Sequence, residues 1–215
     1  GGDRKQHKCA KRLPFAHEAL RTLFDSPLFT GAKSANRLFQ EGDHLEAGWR
    51  FWLPLFMFLM GLRPNELGQA ELGDVVQRFG WPCLRVTTDS DDQEGDGGSP
   101  GKRVKTAAGE RTLPIHPELL RLGFLEHVER QRGRGEARIF SDWQPGCDGT
   151  YSMTSSKTFN RAGGYLERIN IKSRRHALYS LRHSYKNCLR RSEVPHDQQN
   201  LLMGHEDSSV AGRSE

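Results

Sequence analysis

Between Phe51 and Leu62 the chain is almost wholly apolar, Phe-Trp-Leu-Pro-Leu-Phe-Met-Phe-Leu-Met-Gly-Leu, and a chain in water has to bury such a run. Its length decides where. A membrane span needs roughly 20 apolar residues; this run has about 12 and contains Pro54. It therefore predicts a buried core helix, from Leu45 to Met60 and closed by Gly61, around which the other elements must pack. The 215 residues suffice for one medium domain and fall short of two comfortable ones. No signal peptide opens the chain, Gly1-Gly2 carries no meaning, and no membrane partner is expected.

Charged residues make up 27% of the chain and the net charge is +5. That excess favours a polyanionic partner, although many plain soluble proteins share it. Cys9, Cys83, Cys147 and Cys188 lie far apart with no CxxC pair, which fits free thiols in a reducing cytoplasm better than a disulfide framework or a zinc ribbon. His176, His183, Cys188 and His205 match no zinc spacing. Asp89-Ser90-Asp91 opens an acidic, glycine-rich stretch to Gly101 that reads as a mobile hairpin tip. Its glycine is misplaced for a calcium loop and no glutamate closes it, so calcium is excluded there.

Periodicity supplies the elements. Residues 1–13 are basic and polar and read as a linker or arm, either solvated or touching DNA. Phe15, Ala19, Leu20, Leu23 and Phe24 have helical spacing after Pro14, and 30–43 reads as loop. Asp74 to Phe79 and Cys83 to Thr88 read as strands joined by a Gly80-Trp81-Pro82 turn, with a third strand from Arg111 to Ile115. Pro117 opens a segment with Leu119, Leu122, Leu125 and Val128 on one face. Residues 131–150 read as loop, and helices are predicted over Lys157–Ile169, Leu178–Leu189 and Asp197–Met203. The fold class is α+β, a mainly helical single domain with a small three-stranded antiparallel sheet.

Four cationic or titratable side chains stand out. Arg63 lies between Gly61 and Pro64, at a break beside a new helix N-terminus, where N–H groups favour an anion; Glu66 is placed to brace its guanidinium. The alternative is a surface arginine at a helix junction. At 100° per residue, Leu178, Leu181, Tyr185 and Leu189 form an apolar stripe, and Arg182 falls about 40° from its start. A charge on that side needs a partner, either an internal carboxylate or a phosphate from outside. Tyr179, one turn earlier, shares the same cleft, while His183 points further outward. Lys105 sits before the third strand, either swinging into a cleft or serving solubility. His205 follows Gly204 at a helix end, either as a satisfied structural group or as part of a site.

In order, Gly61-Leu62-Arg63-Pro64-Asn65-Glu66-Leu67, Lys105-Thr106 before Arg111-Thr112-Leu113-Pro114-Ile115, Tyr179-Ser180-Leu181-Arg182-His183 and Leu201-Leu202-Met203-Gly204-His205 resemble the catalytic domain of the tyrosine recombinase (phage integrase) family. The resemblance runs from about Phe15 to the end. It implies that residues 14–215 are the catalytic domain, without an N-terminal core-binding domain. It implies that Arg63 and Arg182 grip the non-bridging oxygens of a scissile phosphate, Lys105 protonates the departing 5′ oxygen and His205 hydrogen-bonds the phosphate or helps move a proton. Glu66 and His183 support them. No metal or other cofactor is needed, since arginine forks neutralise the phosphoryl oxygens and a covalent phosphoenzyme stores the broken bond. The partner implied is double-stranded DNA, with a homo-tetramer on paired sites for the full-length protein, in the bacterial cytoplasm at the nucleoid.

Two positions depart from the family pattern. Tyr179 stands where the family usually has histidine, and a phenol, with a reference pKa of about 10, is a poorer acid–base group near neutral pH. The nucleophilic tyrosine is expected about nine residues after the glycine-histidine pair, and counting from His205 reaches Ser214. As given, the chain is expected to lack its nucleophile, through an engineered change, a cut or altered end, or descent as a non-cleaving DNA-binding or regulatory relative. A further reading is a basic helical domain whose arginines pair with internal carboxylates, with Arg63 and Arg182 far apart.

Overall fold

The computed structural model describes residues 11–87 and 109–205. Helices α1 (His17–Phe24) and α2 (Pro27–Thr30) lead through a bridged loop to α3 (Trp49–Leu59), followed at once by α4 (Pro64–Gly68). A 3₁₀ turn at Leu72–Asp74 opens an antiparallel sheet of β1 (Val75–Arg78), β2 (Trp81–Val86) and β3 (Arg111–Pro114), with β2 central. Helices α5 (Pro117–Arg121), α6 (Phe124–Gly133), α7 (Tyr151–Phe159), α8 (Tyr165–Arg168), α9 (Ser180–Arg191) and α10 (His196–Met203) complete the described chain. The predicted α+β class, mainly helical with a small three-stranded antiparallel sheet, is the observed one. No helix among the described residues is long and apolar enough to cross a membrane.

The apolar run is the centre of the molecule. Leu53, Phe56 and Met57 of α3 are fully buried. Phe56 meets Phe124 of α6 edge-on at 4.8 Å, and Trp49 stacks on Trp143 at 4.6 Å. The helix is shorter than predicted: it begins at Trp49, and Leu45 is 73% exposed. Gly48 takes an extended conformation at the N-cap, and the Glu46 carboxylate accepts its N–H at 3.0 Å, which fixes the entry point.

Other boundaries differ for local reasons. Phe79 and Gly80, both at positive φ, form the β1–β2 turn, so Trp81 and Pro82 already belong to β2, paired with Arg78 and Gln77. A two-residue hairpin of the type I′ kind has that backbone at both central positions. The predicted helix over Lys157–Ile169 is two pieces. Thr150 caps α7 by accepting the Met153 N–H at 3.2 Å, drawing the start six residues earlier, and Gly163-Gly164 separate α7 from α8. The apolar face after Pro117 likewise parts at Gly123. Residues 12 and 13, the end of the stretch read as a linker, and Phe15 just after it are bonded to the body of the domain. Leu13 donates to the Arg175 carbonyl, Arg12 to that of Arg174, and the Phe15 N–H to Ser184 Oγ.

Replacing Phe56 with alanine removes a ring that touches both α6 and Trp52. Phe56→Ala is expected to lower unfolding free energy by about 3–5 kcal/mol, seen as an earlier urea midpoint with an unchanged m-value.

Candidate functional site

The site is built on the C-terminal end of α10. A helix end leaves its last carbonyls without intrahelical partners and carries partial negative charge. Here every one of those carbonyls has a donor. Gly204, at φ +59, ends the helix in the left-handed region; its N–H returns to the Leu201 carbonyl and the His205 N–H to that of Asn200, the paired bonds of a Schellman end. The next three carbonyls each take an arginine. Arg111 Nε donates to Leu202 at 3.1 Å, Arg182 Nη2 to Met203, and Arg63 Nη2 to Gly204 at 3.1 Å. Three arginines from β3, α9 and the α3–α4 junction therefore converge on three consecutive residues.

Each arginine arrives for a local reason. Gly61, at φ +64, turns the chain out of α3 where a Cβ would strike the Tyr185 ring at 2.4 Å, and its carbonyl accepts from Arg182 Nη1. Arg63 follows as the N-cap of α4, with Pro64 in the first turn. Glu66 accepts the Arg63 backbone N–H at 2.8 Å and its Nη1 at 2.5 Å. Arg182 lies on the apolar side of α9 and is only 1% exposed. Arg111 and Leu113 are the buried alternate residues of β3.

The two oxygens of Glu66 also take the Arg111 fork, at 3.2 Å to Nη1 and 3.1 Å to Nη2. Burial works against ionising Glu66, but Arg111 and Arg63 outweigh it and hold the carboxyl below its usual range. Arg182 has no carboxylate partner among the described residues. Burial, then repulsion from Arg63, pushes its pKa down to about 10, so it stays charged at neutral pH. His205 Nε2 lies 3.3 Å from Arg182 Nη2. Burial, then Arg182, Lys186, Arg63 and Arg111, push its pKa down to about 4. The imidazole is therefore neutral near pH 7, and its Nε2 accepts the arginine N–H.

A guanidinium has five N–H donors, and the three arginines differ in how many they commit among the described residues. Arg111 commits four, one to Leu202, one to Gly109 and two to Glu66. Arg182 commits three, to Gly61, Met203 and His205. Arg63 commits two, to Glu66 and Gly204. Arg63 is also the most open, with 18% of its side chain exposed against 2% for Arg111. It borders a cleft of about 520 Å³ whose walls include Asn65, Ser152, Asn160 and Tyr179.

No family model matches the sequence, and no curated protein does. Solved structures do share the architecture. An integrase of the Tn1549 transposon, in complex with circular intermediate DNA, aligns with a TM-score of 0.56 and 16% identity over 92% of this chain and 60% of that one. A variant of that integrase aligns with 0.59 and 16% over 94% and 61%. XerH site-specific recombinase, in a post-cleavage complex with palindromic difH substrate, aligns with 0.54 and 12% over 98% and 50%. The fold is that of a tyrosine recombinase catalytic domain. The chain spans between half and about three-fifths of these solved chains.

Within that recombinase fold, Arg63, Glu66, Arg182 and His205 come together at the α10 end. Arg63 and Arg182 are not far apart, as pairing with separate internal carboxylates requires; they hold neighbouring carbonyls. Tyr179 precedes α9 at 38% exposure and lines the cleft. His183 points further outward than Arg182, half-buried and edge-on to the Tyr179 ring at 5.4 Å. Lys105, Ser214 and the acidic Asp89–Gly101 stretch lie outside the described residues. Arg111 is the site member that motif reading passed over. The alternation of β3, which places it on the face of Leu113, was the available signal.

The acid limb of stability follows from His205. Unfolded, the imidazole titrates near 6.5; folded, at about 4. Between those values the unfolded chain binds more protons, so the stability contributed is present above pH 6.5 and is lost as pH falls toward 4. Relative to His205→Gln, the parent chain is expected to show a constant difference in unfolding free energy above pH 6.5 and a growing disadvantage below it, measured by urea denaturation across that range.

Proposed function

We propose that this chain is the catalytic domain of a site-specific DNA recombinase, and that the arginine cluster at the end of α10 holds a backbone phosphate of double-stranded DNA. The observation that carries the reading is the charge balance: among the described residues, three guanidiniums gather beside a neutral imidazole with one carboxylate, which bonds Arg63 and Arg111 but not Arg182. Such a cluster is short of negative charge, and phosphoryl transfer asks mainly for positioned positive charge on the equatorial oxygens. Arg63, with the most uncommitted donors, grips the phosphate from the cleft. Arg182 supplies charge from behind, and His205 a hydrogen bond or a proton path. Lys105 protonates the departing 5′ oxygen. Strands are cut and rejoined through a 3′-phosphotyrosine in the form that carries the nucleophile, and serine at the counted position leaves this sequence without it. The solved integrase and XerH complexes with DNA support the reading by shared fold. The full-length protein works as a homo-tetramer on paired sites.

The second reading is a DNA-binding or regulatory relative that keeps the fold and has given up cleavage. Tyr179 in the histidine position and Ser214 favour it. The two readings part on one experiment. Ser214→Tyr is expected to yield a covalent protein–DNA adduct on a nicked suicide substrate carrying the cognate site. DNA binding without any adduct on that substrate leaves the regulatory reading standing. In either case Arg63→Ala is expected to weaken duplex binding and to reduce the slope of log affinity against log salt by roughly one counterion, measured by fluorescence anisotropy. An unchanged slope would remove Arg63 from the phosphate site.

A further inference from the structure

Glu66 poses an electrostatic problem for any anion site on Arg63. Its carboxylate is 4% exposed, ionised, and 2.5 Å from Arg63 Nη1. Left as the sole counter-ion of Arg63, it would spend that arginine's charge inside the protein, and an approaching phosphate would meet a nearly neutral pair. Arg111 changes the balance. Its fork covers both Glu66 oxygens, its remaining contacts are the Leu202 and Gly109 carbonyls, and its side chain is 2% exposed. With four of its five donors committed, it is poorly placed to bind an outside anion itself.

Building on the phosphate-binding reading of this cluster, we propose that Arg111 is a positioning and charge-balancing residue. It neutralises Glu66 from behind, so that Glu66 orients Arg63 without cancelling it, and the positive charge of Arg63 and Arg182 stays available to a phosphodiester. Glu66 is then a hinge of orientation shared by two arginines rather than the partner of one. Gly204 belongs to the same arrangement, because a Cβ there would lie 2.6 Å from Arg111 Nη1. The carbonyl bonds from Arg111 to Leu202 and from Arg63 to Gly204 keep His205 beside the two functional arginines.

The consequence differs from that of a plain structural strut. Arg111→Met leaves Glu66 to Arg63 and removes one positive charge from the cluster. Arg111→Met combined with Glu66→Gln removes the carboxylate as well and restores the net charge. Arg111→Lys keeps the charge but cannot reproduce the fork. The probe is inorganic sulfate, a phosphodiester stand-in of fixed charge at neutral pH, followed by NMR of the His205 imidazole in the full chain. In the parent protein sulfate is expected to shift the His205 resonances saturably and to raise its pKa from about 4. Arg111→Met is expected to weaken sulfate about tenfold, a coupling of ordinary size between linked sites. The double variant is expected to return to within about threefold of the parent, and Arg111→Lys to stay near it.

Folding of each variant is checked by its urea transition. If Arg111→Met folds and binds sulfate as the parent does, the proposal is overturned while the phosphate site stands. If neither the double variant nor Arg111→Lys recovers affinity, Arg111 is only a strut and the proposal is again overturned. If the parent itself shows no saturable sulfate effect at His205, the phosphate-site reading fails and takes the proposal with it.

Discussion

Three guanidiniums donating to three consecutive carbonyls hold this structure's functional end together. The carbonyls of Leu202, Met203 and Gly204 lie at the negative end of α10 and cannot be satisfied within the helix. Arg111, Arg182 and Arg63 come from segments far apart in the chain, and each brings its own element to that point. The sheet, the α3–α4 junction and α9 are thereby tied to a single helix end. Burying Arg182 this deeply would be prohibitive without hydrogen-bond partners; the Gly61 and Met203 carbonyls supply them. His205, one residue beyond Gly204, inherits its place from the same arrangement.

The electrostatics follow from this geometry. Helix-end carbonyls are partial charges, so they solvate an arginine without neutralising it as a carboxylate does. Among the described residues Glu66 is the full negative charge bonded within the cluster, and it is divided between Arg63 and Arg111. The surplus is felt by its neighbours: burial and nearby cations lower the pKa of His183 and Lys186 as well as that of His205. An anion entering beside Arg63 relieves that repulsion, which is the physical content of the phosphate-binding proposal. The cleft with its hydroxyl and amide walls lies on the side where Arg63 is least committed.

Much of the fold was legible in the chain. The apolar run had to be buried, and it became α3. The strands read at Cys83–Thr88 and Arg111–Ile115 became β2 and β3, with Trp81 and Pro82 moved from the expected turn into β2, and helical spacing gave α9. Boundaries were less legible where one residue outweighs a pattern. Thr150 began α7 earlier than its apolar spacing suggested, and Gly163-Gly164 ended a helix that periodicity alone would have continued. The site was legible in unequal parts. Arg182 announced itself because a charge on an apolar helical stripe is costly, and Arg63 because it stands between Gly61 and Pro64. Arg111 was harder to see, since an arginine opening a short strand after a polar stretch looks like an exposed edge residue until its partners are known.

The sequence by itself determined which side chains must be inside, where the chain turns, and that two arginines occupy positions needing explanation. Those are local matters, set by hydrophobic period, glycine backbone freedom and the cost of an isolated charge. Tertiary structure alone decided that the partners of Arg182 are carbonyls rather than a carboxylate, and that Arg63 and Arg111 share Glu66. Such choices depend on which distant segments meet. Carbonyls and carboxylates are both ready acceptors, and only their positions after packing select between them.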